Sequence, residues 1–143
     1  MTLKEIVNAL NRIAESQPLV NSVIKSGNVY DINESADVEY ATFCAVQQSH
    51  SLNPETSIMN YNFTLYFVDR LTSDSSNKID IQSTAIQVLT NIVKSFADEY
   101  EDYVELAESV TYEVFTESFN DLCAGAYATV TFETDVYPCI ETF

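Results

Sequence analysis

An alternation of side chains from Met59 to Phe67, within SIMNYNFTLYFVDRL (residues 57–71), constrains the fold more than any other feature of the sequence. Large apolar residues fall on every second position, and mostly polar residues lie between them. A period of two is that of a β-strand, in which neighbouring side chains point to opposite faces of a sheet. We therefore expect one face to carry Tyr61, Phe63, Leu65 and Phe67, and the other to carry Asn60, Asn62, Thr64 and Tyr66.

Two other stretches have the spacing of amphipathic helices. The first begins at Thr2, which with Glu5 fits a capping box, and its apolar side is formed by Leu3, Ile6, Val7, Leu10, Ile13 and Ala14. The second has apolar residues at three- and four-residue steps: Ile81, Ala85, Val88, Leu89, Ile92, Val93, Phe96 and Ala97. A helix of roughly twenty residues is about 30 Å long, which is enough to cross one face of a sheet.

Further β patterns define the fold class. Alternation in DVEYATFCAV, SVTYEVFTESF and GAYATVTFET predicts strands, and two short β-prone runs around Gly27 and Asn28 predict a hairpin or a bulge. The segment NDLCAG, residues 120–125, has the length of a hairpin loop. The order helix, strands, helix, two strands predicts one α+β domain over residues 1–143. We expect a mostly antiparallel sheet with two helices packed on one face.

The charge of the chain is unevenly distributed. Residues 98–143 contain 12 of the 22 acids and no lysine or arginine, and residues 1–97 contain all 6 bases, for a net charge of −16. Binding to phosphates requires lysine or arginine, so we expect the second part of the chain not to grip nucleic acid. Apolar runs are far shorter than the roughly 20 residues that span a bilayer, and the first residues read as an amphipathic helix. We therefore expect cytoplasmic synthesis and no membrane partner.

Residue types that carry catalysis are sparse. His50 is the single histidine and lies in a turn-like stretch, and Cys44, Cys123 and Cys139 lack the paired spacing of a zinc site. No base follows Lys94, so Cys123 has no nearby cation in the sequence to stabilise a thiolate. The chain has only two glycines, which excludes a glycine-rich phosphate loop. We expect no enzymatic activity, no cofactor and no metal, and a disulfide between Cys123 and Cys139 stays open.

The densest acidic stretch is DEYEDYVELAE, residues 98–108, with six carboxylates. It lacks the glycine and the ligand spacing of a calcium-binding loop. Two close carboxylates are also the groups of acid–base catalysis, whereas a solvated helix end is the plainest interpretation. The six residues are Asp98, Glu99, Glu101, Asp102, Glu105 and Glu108.

Aromatic residues are more numerous on the predicted strands than a sheet with one buried face requires. The chain has 9 tyrosines and 8 phenylalanines, and aromatic residues alternating with small polar ones are typical of contacts between subunits. We expect a subunit interface at Phe43, Tyr66 and Phe115, together with the turn residues Asn120 and Asp121. Ordinary packing of a second layer is the alternative.

Three segments taken together resemble a group of small phage and prophage proteins linked to Bacteroides-type hosts. They are NYNFTLYFVDRL, NKIDIQSTAIQVLTNIVKSF and FNDLCAGAYATVTFETDVYPC, and the resemblance extends over most of residues 19–139. Those proteins are regarded as tail-terminator or neck-ring components, whose helices flank a sheet and whose long hairpins reach neighbouring subunits. The resemblance implies a virion protein that forms a homo-oligomeric ring, six-fold or higher, and joins the tail to the head.

In such a ring the DNA passes through without specific binding, and the partners are other neck or tail proteins. Acidic walls would keep a duplex from adhering, so we expect some of the six carboxylates to face the lumen or an adjoining ring. The main alternative is a soluble acidic adaptor or regulatory domain that binds one protein partner through its sheet. An enzyme with an acidic active site is the third interpretation.

Overall fold

The computed structural model of the protein describes residues 1–33, 39–107, 109–118 and 122–136. Helix α1 spans Leu3–Glu15, helix α2 spans Lys78–Glu99, and a short 3₁₀ helix spans Val29–Asn33. The strands are β1 (Ser22–Ile24), β2 (Thr42–Gln47), β3 (Ser51–Asn53), β4 (Ile58–Arg70), β5 (Glu105–Leu106), β6 (Thr111–Ser118) and β7 (Leu122–Asp135).

The two longest strands, β4 and β7, form the centre of one sheet. They pair antiparallel from Ile58 opposite Asp135 to Arg70 opposite Cys123. Strands β2 and β3 pair antiparallel with the other side of β4, and β6 and β5 pair antiparallel with the other side of β7. Strand β1 adds to β2 in parallel. The prediction of a mostly antiparallel sheet is confirmed.

Both helices lie on the same face of this sheet, as the sequence predicts. Helix α1 packs on β1 and β2, and α2 packs on β4 and β7. The predicted apolar stripes of α2 and β4 face each other across the main core, where burial of apolar surface is the chief source of stability. The strand side chains buried in this core are Phe43, Ala45, Phe63, Leu65, Phe67, Ala126, Ala128, Val130 and Phe132.

Polar contacts fix how the two helices begin and meet. The Thr2 side chain accepts a hydrogen bond from the Glu5 backbone N–H at 3.2 Å, and the Glu5 carboxylate accepts one from the Thr2 N–H at 3.1 Å, which confirms the capping box. At the other end of α1, Arg12 donates to Glu99 at 2.7 Å and to the Tyr100 hydroxyl at 3.1 Å. These contacts tie α1 to the C-terminal end of α2.

The prediction of a hairpin or bulge at Gly27 and Asn28 is wrong. Only Ser22–Ile24 forms a strand there, and its partner is the parallel strand β2. Gly27 has a φ of 79°, which glycine adopts without strain, and the chain turns there into the 3₁₀ helix. Since the pairing partner of β1 comes some way along the chain, the local turn signal did not indicate it.

The β6–β7 hairpin has a shorter connection than predicted. Strand β7 begins at Leu122, so Cys123 and Gly125 belong to the strand, whereas Asn120 and Asp121 lie outside the described residues. Gly125 is needed for a close approach of two strands, because a Cβ built on it would lie 1.9 Å from the Phe67 carbonyl oxygen. The same Cβ would lie 3.1 Å from Cζ of Phe115.

Candidate functional site

The face of the sheet opposite the helices carries the side chains that are most available to another molecule. We call it the open face. Pairing between β4, β7 and β6 aligns its side chains in rows, for example Tyr66 beside Tyr127 and Tyr127 beside Glu113. The described residues that it presents at the surface include Asn62, Tyr66, Glu113, Phe115, Tyr127, Thr129, Thr131 and Glu133.

Three aromatic rings pack together in the middle of the open face. The ring centroids of Tyr66 and Tyr127 are 5.2 Å apart, those of Tyr66 and Phe115 are 6.0 Å apart, and those of Phe115 and Tyr127 are 6.3 Å apart. All three side chains are half-buried, so each keeps part of its surface exposed. We call Tyr66, Phe115 and Tyr127 the aromatic triad; because Gly125 has no side chain, the Phe115 ring can lie close to β7.

One end of the open face is covered by the segment that follows β1. A small buried cluster forms there from Ile24, Val29, Cys44, Val68 and Cys123, and the aromatic triad borders it through Tyr66 and Phe115. Burial raises the pKa of the Cys44 thiol to about 12, with a smaller contribution from Asp31. A thiol in this state is not a nucleophile at neutral pH. This end of the sheet is therefore a structural second layer.

Polar side chains occupy the rest of the face and are bonded to each other. The Thr131 hydroxyl donates to the Asn62 side-chain oxygen at 2.6 Å, and Gln48 donates to the Thr64 hydroxyl at 3.1 Å. His50 accepts a hydrogen bond from the Asn62 backbone N–H at its Nδ1, at 3.1 Å. His50 thus completes the backbone hydrogen bonding where β2 passes into β3, a structural role.

The predicted acidic residues gather at the C-terminal end of α2. Asp98, Glu99, Glu101, Asp102 and Glu105 are all exposed, and Glu108 lies outside the described residues. The last turn of α2 contains no base. Carboxylates are unfavourable at the negative end of a helix dipole, so the stability of α2 does not account for their presence.

Strand pairing brings two further carboxylates to the same place. Glu105 lies opposite Glu133, and Asp135 follows on the same side of β7. Together with the loop after α2 they surround a shallow recess of about 330 Å³, lined by Ile58, Glu101, Asp102, Tyr103, Val104, Glu105, Glu133, Thr134 and Asp135. We call these residues, with Asp98 and Glu99, the acidic end. The described lining contains no lysine or arginine.

The predicted subunit-interface residues separate into three groups. Tyr66 and Phe115 lie on the open face, where they are in position to contact another protein. Phe43 needs correction, because it is fully buried under the helices and has no surface to offer. Both faces of β2 are buried, so its alternation did not reveal which face lies inside. Asn120 and Asp121 lie outside the described residues. Cys139 does too, so the question of a disulfide with Cys123 stays open.

Sequence reasoning missed Glu113, Tyr127, Glu133 and Asp135. These residues belong to different stretches of β6 and β7 and become neighbours of the predicted residues only through pairing. The one signal that could have found Glu113, Tyr127 and Glu133 is the alternation in SVTYEVFTESF and GAYATVTFET, and Asp135 follows directly after the second stretch. That alternation places each residue on a face but leaves the pairing register open.

The Tyr127 hydroxyl donates a hydrogen bond to the Glu113 carboxylate. This bond raises the pKa of the Tyr127 phenol above its usual value, and partial burial and the charge of Glu113 act in the same direction. Because the pKa is raised in the folded protein, the associated stability is present below about pH 10 and is lost as the pH rises through the pKa of folded Tyr127.

We expect Glu113→Gln to lower the pKa of Tyr127 towards its usual value, since the amide carries no charge. The tyrosinate absorbance is measured against pH for the wild type and for Glu113→Gln, each with and without Tyr127→Phe. The difference within each pair is the titration of Tyr127 alone among the nine tyrosines. An unchanged pKa for Tyr127 in Glu113→Gln would show that the carboxylate does not control it.

No protein-family model matches the chain, and no curated protein matches it. In the described ranges, no three or more His, Cys, Asp and Glu side chains are arranged to hold a metal ion. Among the described residues, no helix is long and apolar enough to cross a bilayer.

Proposed function

We propose that this protein is a structural component of a phage virion that forms a ring in the neck or at the head-proximal end of the tail, where it joins the tail to the head and surrounds the DNA path. The observation that carries the proposal is the acidic end. It gathers exposed carboxylates from α2, from the loop that follows it and from β7, although they oppose the dipole of α2.

The negative charge of the acidic end would repel DNA that passes through the ring. A duplex carries one phosphate charge per about 1.7 Å of its axis, and lysine or arginine is what normally holds it. Carboxylates along its path would prevent tight contacts and let it pass. In the ring, Glu101, Asp102 and Glu105 face the lumen or an adjoining ring.

The edge formed by the β6–β7 hairpin supports association between subunits. Among the described strands, β6 pairs only with β7, so its other side is an edge of the sheet. Val114 and Leu122 on this hairpin are each 51% exposed, and Ile79 at the start of α2 is 68% exposed. A closed ring needs contacts between two different surfaces of neighbouring subunits, and this edge provides one of the two.

A second candidate function is favoured by the open face. A sheet that is covered on one side and exposes an aromatic triad on the other is suited to bind a protein partner. The protein would then be a soluble acidic adaptor or regulatory domain, monomeric or dimeric, and absent from the virion.

Native mass spectrometry over a concentration series, with negative-stain images of the same samples, tests the ring. We expect closed particles of one fixed copy number, six or higher by the resemblance. A strict monomer at high concentration, which also fails to assemble when purified tails are added, would contradict the ring and favour the adaptor.

Charge reversal at the acidic end tests its role in DNA passage. We expect Glu101→Lys combined with Glu105→Lys to slow genome ejection severalfold and to leave particle assembly unchanged, because the lysines would bind passing phosphates. Both side chains are exposed, and the Arg12–Glu99 contact is retained. Ejection is followed by dye uptake into released DNA.

The control for this variant is Glu39→Lys combined with Glu55→Lys, which changes the net charge equally at two exposed residues outside the acidic end. Equal ejection rates in the two double variants would refute a lumenal acidic end.

A further inference from the structure

The open face carries an excess of negative charge around the aromatic triad. Glu113 lies beside Tyr127, and Glu105 and Glu133 lie side by side farther along the same face. The described base on this face is Arg70, at its covered end, and its guanidinium lies 4.9 Å from the centre of the Tyr40 ring. The accessible part of the face therefore presents carboxylates at its border and aromatic rings in its middle.

This distribution of charge selects the chemistry of an occupant. Exposed carboxylates attract lysine and arginine and repel phosphates, so nucleic acid does not fit the face. Aromatic rings add a second preference, since their faces attract cations and their edges pack against apolar side chains. The hydroxyl and amide groups of Thr129, Thr131 and Asn62 lie between the two and complete a polar border of the kind found at protein interfaces.

A second copy of this chain is a poor occupant for the same reason. Two open faces placed together would bring Glu113 and Glu133 of each copy against carboxylates of the other. Two of the chain's own bases are already held elsewhere: Arg12 contacts Glu99 at 2.7 Å and Lys25 contacts Glu15 at 3.0 Å. Two open faces are therefore not complementary to each other, whereas a positively charged segment of a different protein is complementary to one.

We infer that the open face is a docking surface for a positively charged segment of another protein, which places lysine or arginine against Glu113 and Glu133 and an apolar side chain against the aromatic triad. The inference goes beyond the ring and stands whether or not copies of this chain associate with each other. In a virion the segment would belong to a neighbouring neck or tail protein, and in the adaptor it would belong to the regulated partner.

A matched pair of variants tests this surface. The probe is a ten-residue peptide in which lysine alternates with leucine and threonine, and the control peptide carries glutamate in place of lysine. Thr129→Arg puts a long cation in the middle of the open face, whereas Thr116→Arg puts the same residue on the helix side of β6; both threonines are exposed. We expect Thr129→Arg to weaken binding of the lysine peptide about tenfold and Thr116→Arg to change it less than about twofold.

The role of the carboxylates is tested with a second set of variants. Glutamine has nearly the same shape as glutamate, so these substitutions remove charge and should leave the fold intact. We expect Glu113→Gln combined with Glu133→Gln to weaken binding about fivefold, and the charge-matched pair Glu39→Gln and Glu55→Gln to have little effect. Backbone NMR shifts of the labelled protein should change along β4, β7 and β6 when the lysine peptide is added, and not when the glutamate peptide is added.

Two results would overturn the docking surface. Equal weakening by the two double variants would mean that the peptide responds only to net charge. Shifts confined to residues 98–104, at the end of α2 and in the loop after it, would place the cation site off the open face. Both readouts are made on the protein by itself, so they are separate from the test of the ring. If the protein forms no ring but binds the lysine peptide as expected, the ring is refuted and the docking surface is retained.

Discussion

Gly125→Ala is expected to lower the free energy of unfolding by about 3 kcal/mol or more, a larger effect than that of the same substitution at the other glycine, Gly27. The new methyl group would lie 1.9 Å from the carbonyl oxygen of Phe67. That oxygen belongs to the backbone of β4 and cannot rotate away, so the neighbouring strands β4 and β7 would have to separate near the Arg70–Cys123 end of their ladder. Urea unfolding followed by circular dichroism measures the change.

Gly27→Ala is the matched control, since it makes the same substitution in a different setting. A Cβ on Gly27 meets only the Ala45 carbonyl oxygen, at an ordinary distance of 3.7 Å, but the φ of 79° disfavours alanine. We expect a loss of about 1 kcal/mol there. Adding Phe115→Ala to Gly125→Ala should not restore stability, because the ring is not the main obstacle. Restoration would assign the conflict to the ring and not to the carbonyl.

Phe132→Ala is expected to cost about 4 kcal/mol, because it removes a ring from the middle of the main core. The Phe132 ring centroid lies 4.7 Å from that of Phe96 on α2 and 5.9 Å from that of Phe63 on β4. All three side chains are fully buried, so the substitution leaves a cavity and removes one of the contacts between α2 and the sheet.

The controls for Phe132 separate volume from position. Phe132→Leu keeps most of the apolar volume and should cost less than about 2 kcal/mol. Tyr103→Ala removes an aromatic ring that is 64% exposed and should change the free energy of unfolding by less than about 0.5 kcal/mol. A small effect of Phe132→Ala, equal to that of Tyr103→Ala, would show that α2 does not depend on this contact.

The elements that the sequence predicted well are those whose two faces differ sharply. Strand β4 alternates between large apolar residues and mostly polar ones, and α2 has an apolar stripe at helical spacing, so in both the residues of the core face were grouped together correctly. Strand β2 was found without its orientation, because residues 42–45 are buried on both sides. Phe43 was therefore assigned to an interface although it lies in the core.

The candidate surfaces were predictable only as far as they are local in sequence. Asp98 to Glu105 form one continuous stretch, so composition was enough to find them. Glu133 and Asp135 join that stretch through the pairing of β7 with β5, and Tyr127 joins Tyr66 and Phe115 through the pairing of β4, β7 and β6. Register is set by contacts between distant segments, which a single sequence does not display.

The pairing of β4 with β7 has a consequence for how the chain is made. Partners in this ladder are 53 residues apart at Arg70 and Cys123 and 77 apart at Ile58 and Asp135, since the whole of α2 lies between them. At a synthesis rate of about 5 to 20 residues per second, several seconds pass between the synthesis of β4 and the synthesis of β7. During that interval Phe63, Leu65 and Phe67 lack the strand that completes their layer, so newly made chains should depend on chaperones that shield this one segment.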